Sequence, residues 1–168
     1  MTETELLERL AHRLWDERHV VTVLLYRLTV TRLLLAADER RFVAESVREV
    51  DDAVAQLRDG EAARDEALRD LAEHWLIDPQ QLTLERLSRQ APPPYDHTFS
   101  EHLTAFRTLT AEVEGAAREN RTLARTDLGA VQEQLDLLTG TPSAPTTYDA
   151  RGRVDAGGPL GGRLREVL

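Results

Sequence analysis

Residues 2–37 read TETELLERLAHRLWDERHVVTVLLYRLTVTRLLLAA, and the spacing of their apolar side chains decides the fold. Leu7, Leu10, Leu14, Val21, Leu24, Leu28 and Leu35 follow in steps of three, four or seven, which places them on one helix face. Glu17 and Thr31 fill the gaps in that stripe and are its only interruptions. Thr2 and Glu5 have the Thr-x-x-Glu spacing of a capping box and mark the start. The β-branched run Val20-Val21-Thr22-Val23 suggests a strand in isolation, but the helical period continues through it on both sides. The reading is a helix over residues 3–36, roughly 50 Å long at 1.5 Å per residue.

A second stripe follows through Val43, Val47, Val50, Val54, Leu57, Leu68, Leu71 and Trp75, and it predicts a helix over 39–76. Glu61 and Arg64 occupy seam positions in its middle, beside Gly60, and make that patch either its weakest part or a break. A helix of 70 residues is out of proportion for a compact domain, so the chain is expected to reverse near Ala37-Asp38. Asp78-Pro79-Gln80-Gln81 starts a new, short helix over 79–90, with an Asp cap and Pro at the first helical position. Pro92-Pro93-Pro94 ends it. Thr98 and Glu101 form another capping box, opening a helix over 98–138 whose stripe runs from Phe99 and Leu103 through Phe106, Val113 and Ala117. It continues through Asn120, Ala124, Leu128, Val131 and Leu135 to Leu138. The steps from Asn120 to Ala124 to Leu128 are both four, a stutter that unwinds a supercoil locally.

Residues 139–168 hold six of the nine Gly and three of the seven Pro, the composition of a flexible tail. Leu160, Leu164, Val167 and Leu168 within it have helical spacing, which reads first as a fraying end and only second as one docked turn. The expected architecture is all-α: an elongated antiparallel bundle of three long helices and one short one over 1–138, followed by the tail.

The charge balance narrows the function. The chain of 168 residues has a formal net charge of -9, and residues 38–78 alone carry 13 acids against 6 Arg. Nucleic-acid affinity comes from a basic face that displaces counterions, and none is present. An anionic membrane surface is disfavoured likewise. The apolar window from Val20 to Ala37 contains Arg27 and Arg32, each costing about 2.5–3.5 kcal/mol in a bilayer, so it reads as a bundle helix and not a span. There is no Cys, which removes disulfide and thiolate chemistry. The acidic N-terminus lacks the basic start of a signal peptide, and the expected location is the cytoplasm.

Candidate reactive residues are few. His12, Asp16 and His19 share one helix face, as metal ligands would, but that face is opposite the Leu7-Leu10-Leu14 seam. His74, His97 and His102 have no Ser or Cys partner in a nucleophile motif, and no phosphate-binding glycine loop occurs. The reading is a protein without catalytic residues, cofactor or metal. Trp75 lies on the seam and reads as core; Trp15 flanks its seam and fits burial or partner contact equally. Asn120, polar on an apolar stripe, fits a register-setting buried residue or an anchor for a partner helix. Tyr148 is the tail's only aromatic residue and reads as a recognition element, ahead of a turn folded back onto the bundle.

The order of these features resembles the FlgN-type export chaperones of flagellar hook–filament junction proteins. The resemblance rests on the turn at Leu35-Ala36-Ala37-Asp38, where that family often has Gly-Asp, and on the Leu-bearing segment from Gln81 to Leu87. Its most specific part is Ala117-Arg118-Glu119-Asn120-Arg121-Thr122-Leu123, similar to the family's Asn-x-x-Asn-x-x-Leu with Ala117 in place of the first Asn. Leu135-Asp136-Leu137-Leu138-Thr139-Gly140 and Thr147-Tyr148-Asp149-Ala150-Arg151-Gly152 follow at family-like distances, so the likeness runs to about residue 153.

The resemblance implies that the last helix holds the C-terminal helical segments of junction proteins. The client-binding residues would be Val113, Ala117, Asn120, Leu123, Ala124, Leu128, Val131 and Leu135. Tyr148 would then dock on the cytoplasmic domain of the export gate. The rival reading is a self-assembling coiled-coil protein that takes up no client.

Overall fold

The computed structural model describes the backbone of residues 1–139 and the side chains of residues 1–134. The expected tail, with Tyr148, lies outside them except for Thr139, which closes the last helix.

Helix α1 spans Glu3–Ala36. Its start is fixed by reciprocal bonds: the Glu5 N–H donates to Thr2 Oγ1 at 3.3 Å, and the Thr2 N–H donates to Glu5 Oε2 at 2.7 Å. The chain reverses through Asp38, which adopts φ +56 without a glycine. Aspartate tolerates that left-handed conformation better than most residues. Helix α2, Arg40–His74, then runs unbroken through Gly60 back along α1.

The short helix expected over 79–90 is two pieces. A 3-10 turn, Pro79–Gln81, is capped by Asp78, whose carboxylate accepts from the Gln80 N–H at 2.9 Å. Helix α3, Leu84–Gln90, is capped separately by Thr83, which accepts from the Arg86 N–H at 3.2 Å. The extended Thr83 between them lets Leu82, Leu84 and Leu87 all enter the core.

Helix α4 spans Tyr95–Thr139 and begins three residues earlier than the capping box at Thr98 suggested. Thr98 is already inside the helix, its N–H and hydroxyl both donating to the Pro94 carbonyl at 3.3 Å. Prolines suit the entry to a helix because the N–H they lack has no intrahelical acceptor there. The proline run therefore ends one helix and starts the next.

Helix α2 runs antiparallel to α1, and α4 runs parallel to it. Trp15 meets His102, and Arg32 meets Glu119, both pairs 87 positions apart. Helix α3 packs on α4. Leu7, Leu10, Leu14, Leu24, Leu71, Leu84, Leu87, Phe99 and Phe106 fill the interior. Burying each such side chain contributes about 1.5–3 kcal/mol.

The polar interruptions of the seams pair across the helices. Arg64 Nη1 donates to Glu17 Oε1 at 2.6 Å, with both side chains buried. Thr31 and Ser46, also buried, share a hydroxyl hydrogen bond of 2.6 Å. The Glu61–Arg64 patch is thus the cross-link between α1 and α2 and not a break. Arg27 with Glu49 and Arg32 with Glu119, both at 2.7 Å, tie α1 to its two neighbours. The two arginines that argue against a membrane span are held there.

Candidate functional site

The core stops short of the α1–α2 turn. Thr31 is the last buried residue of α1, Ser46 the first of α2, and Val113 the last of α4 among the described side chains. Beyond the Thr31–Ser46 bond, Leu33 is 58% exposed and Phe42 49%, and Val47, just to the other side of Ser46, is 44% exposed. Leu34, Leu35 and Val43 between them are half-buried. This end of the bundle is apolar and open.

Helix α4 continues past it. Asp127 lies close enough to Arg40, the first residue of α2, to help raise that guanidinium's pKa. The Asp38 hydrogen bond and charge are the larger causes of the rise. The residues from Leu128 to Thr139 therefore project beyond the turn for about 18 Å at 1.5 Å per residue. They carry on the face that packed on α1 lower down. Val113, on that face, is 6% exposed, whereas Leu128, fifteen residues on, is 70% exposed.

The structure divides the eight residues expected to bind a client. Val113 is buried, and Ala117 packs half-buried against the core. Asn120 donates through Nδ2 to the Leu28 carbonyl at 2.9 Å, so its amide locks α4 onto α1. Its Oδ1 is buried with no hydrogen-bond partner. Leu123, Ala124 and Val131 are half-buried, and Leu128 stands out. The Leu135 side chain lies outside the described residues. Three of the eight are thus spent on the bundle itself, because α1 extends far enough to cover them.

Sequence reasoning missed Leu33, Phe42 and Val47 as parts of this end. One signal for them was helix length. A last helix of about 41 residues, parallel to a first helix of about 34, has to outrun it, and the turn of the shorter pair is then exposed alongside.

The remaining candidates are structural. His12, Asp16 and His19 are exposed, and among the described residues no three His, Asp or Glu side chains gather as a metal site needs. Trp75 is half-buried against the core and donates through Nε1 to Glu3 Oε1 at 2.8 Å. Trp15 is half exposed, its ring edge-on to His102 at 5.1 Å with the Arg18 guanidinium 4.9 Å above it. His102 itself is buried, and neither ring nitrogen has a hydrogen-bond partner. Burial, then the Arg18 charge, lowers its pKa to about 4, so the ring is neutral near pH 7. Burial pushes the Glu17 carboxyl the other way, up to about 7, against the pull of Arg64. Neither group borders the open end.

Two long helices, a short Leu-bearing segment and a long last helix follow in the order on which the resemblance rests. The model of the FlgN protein family matches residues 1–156. The chain belongs to the FlgN family. No curated protein and no solved structure matches it individually. FlgN proteins are flagellar export chaperones, not a family known for catalysis, and the family implies binding of flagellar hook-associated proteins. The match covers all of the described helices and Tyr148, and it ends 12 residues before Leu168.

Proposed function

We propose that this FlgN-family chain is a cytoplasmic chaperone that receives the C-terminal helical segments of hook–filament junction proteins on its open end. It keeps those segments from associating prematurely and passes them to the export gate. Residues 1–138 act as the binding body and 139–168 as the delivery tail. The observation that supports this most is the exposure of Leu128 on the face that α4 buries against α1 at Val113. A guest amphipathic helix laid along Leu123, Ala124, Leu128, Val131 and Leu135 would take the place α1 has lower down. Phe42 and Val47 would widen that contact. Val113, Ala117 and Asn120 hold the platform rather than the guest. Tyr148 is the docking residue for the gate's cytoplasmic domain, since a tail aromatic offers apolar area and a hydroxyl to a partner.

The reading is tested with a junction-protein C-terminal peptide and calorimetry. Leu128→Asp with Val131→Asp is expected to weaken peptide binding at least tenfold, about 1.4 kcal/mol, while the far-UV helical signal stays unchanged. Undiminished affinity would move the client elsewhere. Tyr148→Ala is expected to spare peptide binding and weaken binding to the isolated gate domain; equal gate affinity would remove the docking role.

A self-association reading also has an observation in its favour. Trp15, Tyr26 and Leu33, all at least half exposed, share one outer face of α1. A light-scattering mass that remains multimeric on dilution, with no peptide bound, would favour it over the chaperone reading.

A further inference from the structure

The family match ends at residue 156, and the segment beyond it has a pattern of its own. Leu160, Leu164, Val167 and Leu168 stand at i, i+4, i+7 and i+8, the positions of one helix face. Arg163 and Arg165 flank that face.

The overhang of α4 is its complement. Leu128, exposed, and Val131, half-buried, carry the apolar stripe of α4 past the end of α1. Residues 127–139 carry three acids, Asp127, Glu133 and Asp136, and no basic residue. A segment with two arginines against one acid, Glu166, matches such a strip in its apolar spacing and in the sign of its charge.

Reach decides whether the two can meet. Residues 140–159 join the end of α4 to Leu160, and they are rich in Gly, Pro, Ser and Thr. A 20-residue linker of flexible composition has a root-mean-square span of about 25 Å. The path from Thr139 back to the level of Asp127 is about 18 Å. Linker and path match, and that match maximises the effective concentration of one end at the other.

We propose that residues 160–168 fold back onto the Leu128–Val131 face and compete with the client helix for it. The segment is a built-in, displaceable cover for the open end. Gly161 and Gly162 lie inside it and lower its helix propensity. A weak cover suffices. At an effective concentration of the order of 1 mM, a contact with a Kd of about 0.2 mM lowers client affinity about sixfold. The competition rests on the proposed client site; the fold-back contact itself does not.

The chain has no Cys, so a single cysteine can be labelled cleanly. A nitroxide on Glu166→Cys in the 168-residue chain is expected to broaden the methyl signals of Leu128 and Val131 and spare those of Leu24. Unbroadened Leu128 and Val131 signals overturn the proposal. So does broadening that appears only when spin-labelled chains are mixed with isotope-labelled, unmodified ones, because the segment would then be covering a second copy. In the same chain, Leu164→Asp with Val167→Asp is expected to raise affinity for the junction-protein peptide about sixfold. Equal affinities with the peptide bound overturn the competition. If the peptide binds neither chain, the proposed client site has failed, and the nitroxide result alone decides the fold-back contact.

Discussion

The lower part of α4, from Phe99 to Val113, and its upper part, from Asn120 to Val131, carry one continuous stripe and meet opposite fates. Phe99, Phe106 and Val113 are sealed against α1 and its neighbours, while Leu128 faces water. The difference lies in what stands opposite, since α1 ends at Ala36 and α4 does not. An amphipathic period specifies a face that gains free energy from cover, and it leaves the source of that cover open. In the lower part the chain supplies the cover. In the upper part a guest can.

Substitutions should separate the two parts by kind of effect as well as by size. Phe106→Ala removes a buried ring and is expected to cost about 3–5 kcal/mol in urea unfolding. Leu128→Asp replaces an exposed leucine, and its effect on stability should stay within about 0.5 kcal/mol while peptide binding is expected to weaken. Equal destabilisation by the two would mean that the upper strip is part of the core after all.

The ion pair in the closed half gives a smaller, pH-dependent effect. Burial, more than the Arg64 charge, sets the Glu17 pKa, raised from 4.5 to about 7 in the folded chain. The folded state thus holds this proton more tightly than the unfolded state does. The associated stability is fully present below pH 4.5 and is lost as the pH rises through 7. His102 works in the opposite sense, with its pKa lowered from 6.5 to about 4. Its contribution is present above pH 6.5 and is lost as the pH falls through 4. Between pH 4.5 and 6.5 the two slopes oppose each other. His102→Phe should remove the acid-side loss, so that stability falls monotonically from pH 5 to pH 8. Glu17→Gln should remove the fall above pH 6.5. A wild-type unfolding free energy whose pH profile neither substitution alters would show that neither group titrates differently on folding.

These same residues show what the sequence discloses and what it conceals. The extent of α1 was legible because a capping box and an apolar period are local signals, and each acts within a few residues of its own position. The start of α4 was misjudged for a related reason. Two local signals competed there, and the proline entry at Pro94 took precedence over the Thr98 box. Glu17, Glu61 and Arg64 looked like flaws in two seams. Glu17 finds its partner 47 positions away, and a sequence does not display which faces will meet at that distance. The candidate site was half legible. Leu128 and Val131 could be placed on the apolar stripe from its period, but how much of that stripe α1 would cover depended on the parallel packing of α1 and α4.

The smallest expected effect is a gain, and it lies in the closed half. Gly60 sits within α2, where glycine costs about 0.5–1 kcal/mol relative to alanine because the unfolded chain loses more backbone freedom on folding. A methyl group there would meet Glu17 Cα, Cβ and Cγ at 3.9 Å, ordinary van der Waals contact. No backbone feature at Gly60 needs a glycine, since it lies in regular helix. Gly60→Ala is therefore expected to stabilise the chain by about 0.5–1 kcal/mol, visible as a rise of roughly 1–4 °C in Tm. Peptide affinity should not change, because the position faces Glu17 in the sealed part and not the strip around Leu128. A loss of stability would mean that the α1–α2 spacing beside the Glu17–Arg64 pair has no slack, and that the glycine is there to let the buried carboxylate fit. A gain in stability accompanied by weaker peptide binding would show something else. It would mean that the sealed and open parts are mechanically coupled, and that the open end depends on α2 being able to yield at its middle.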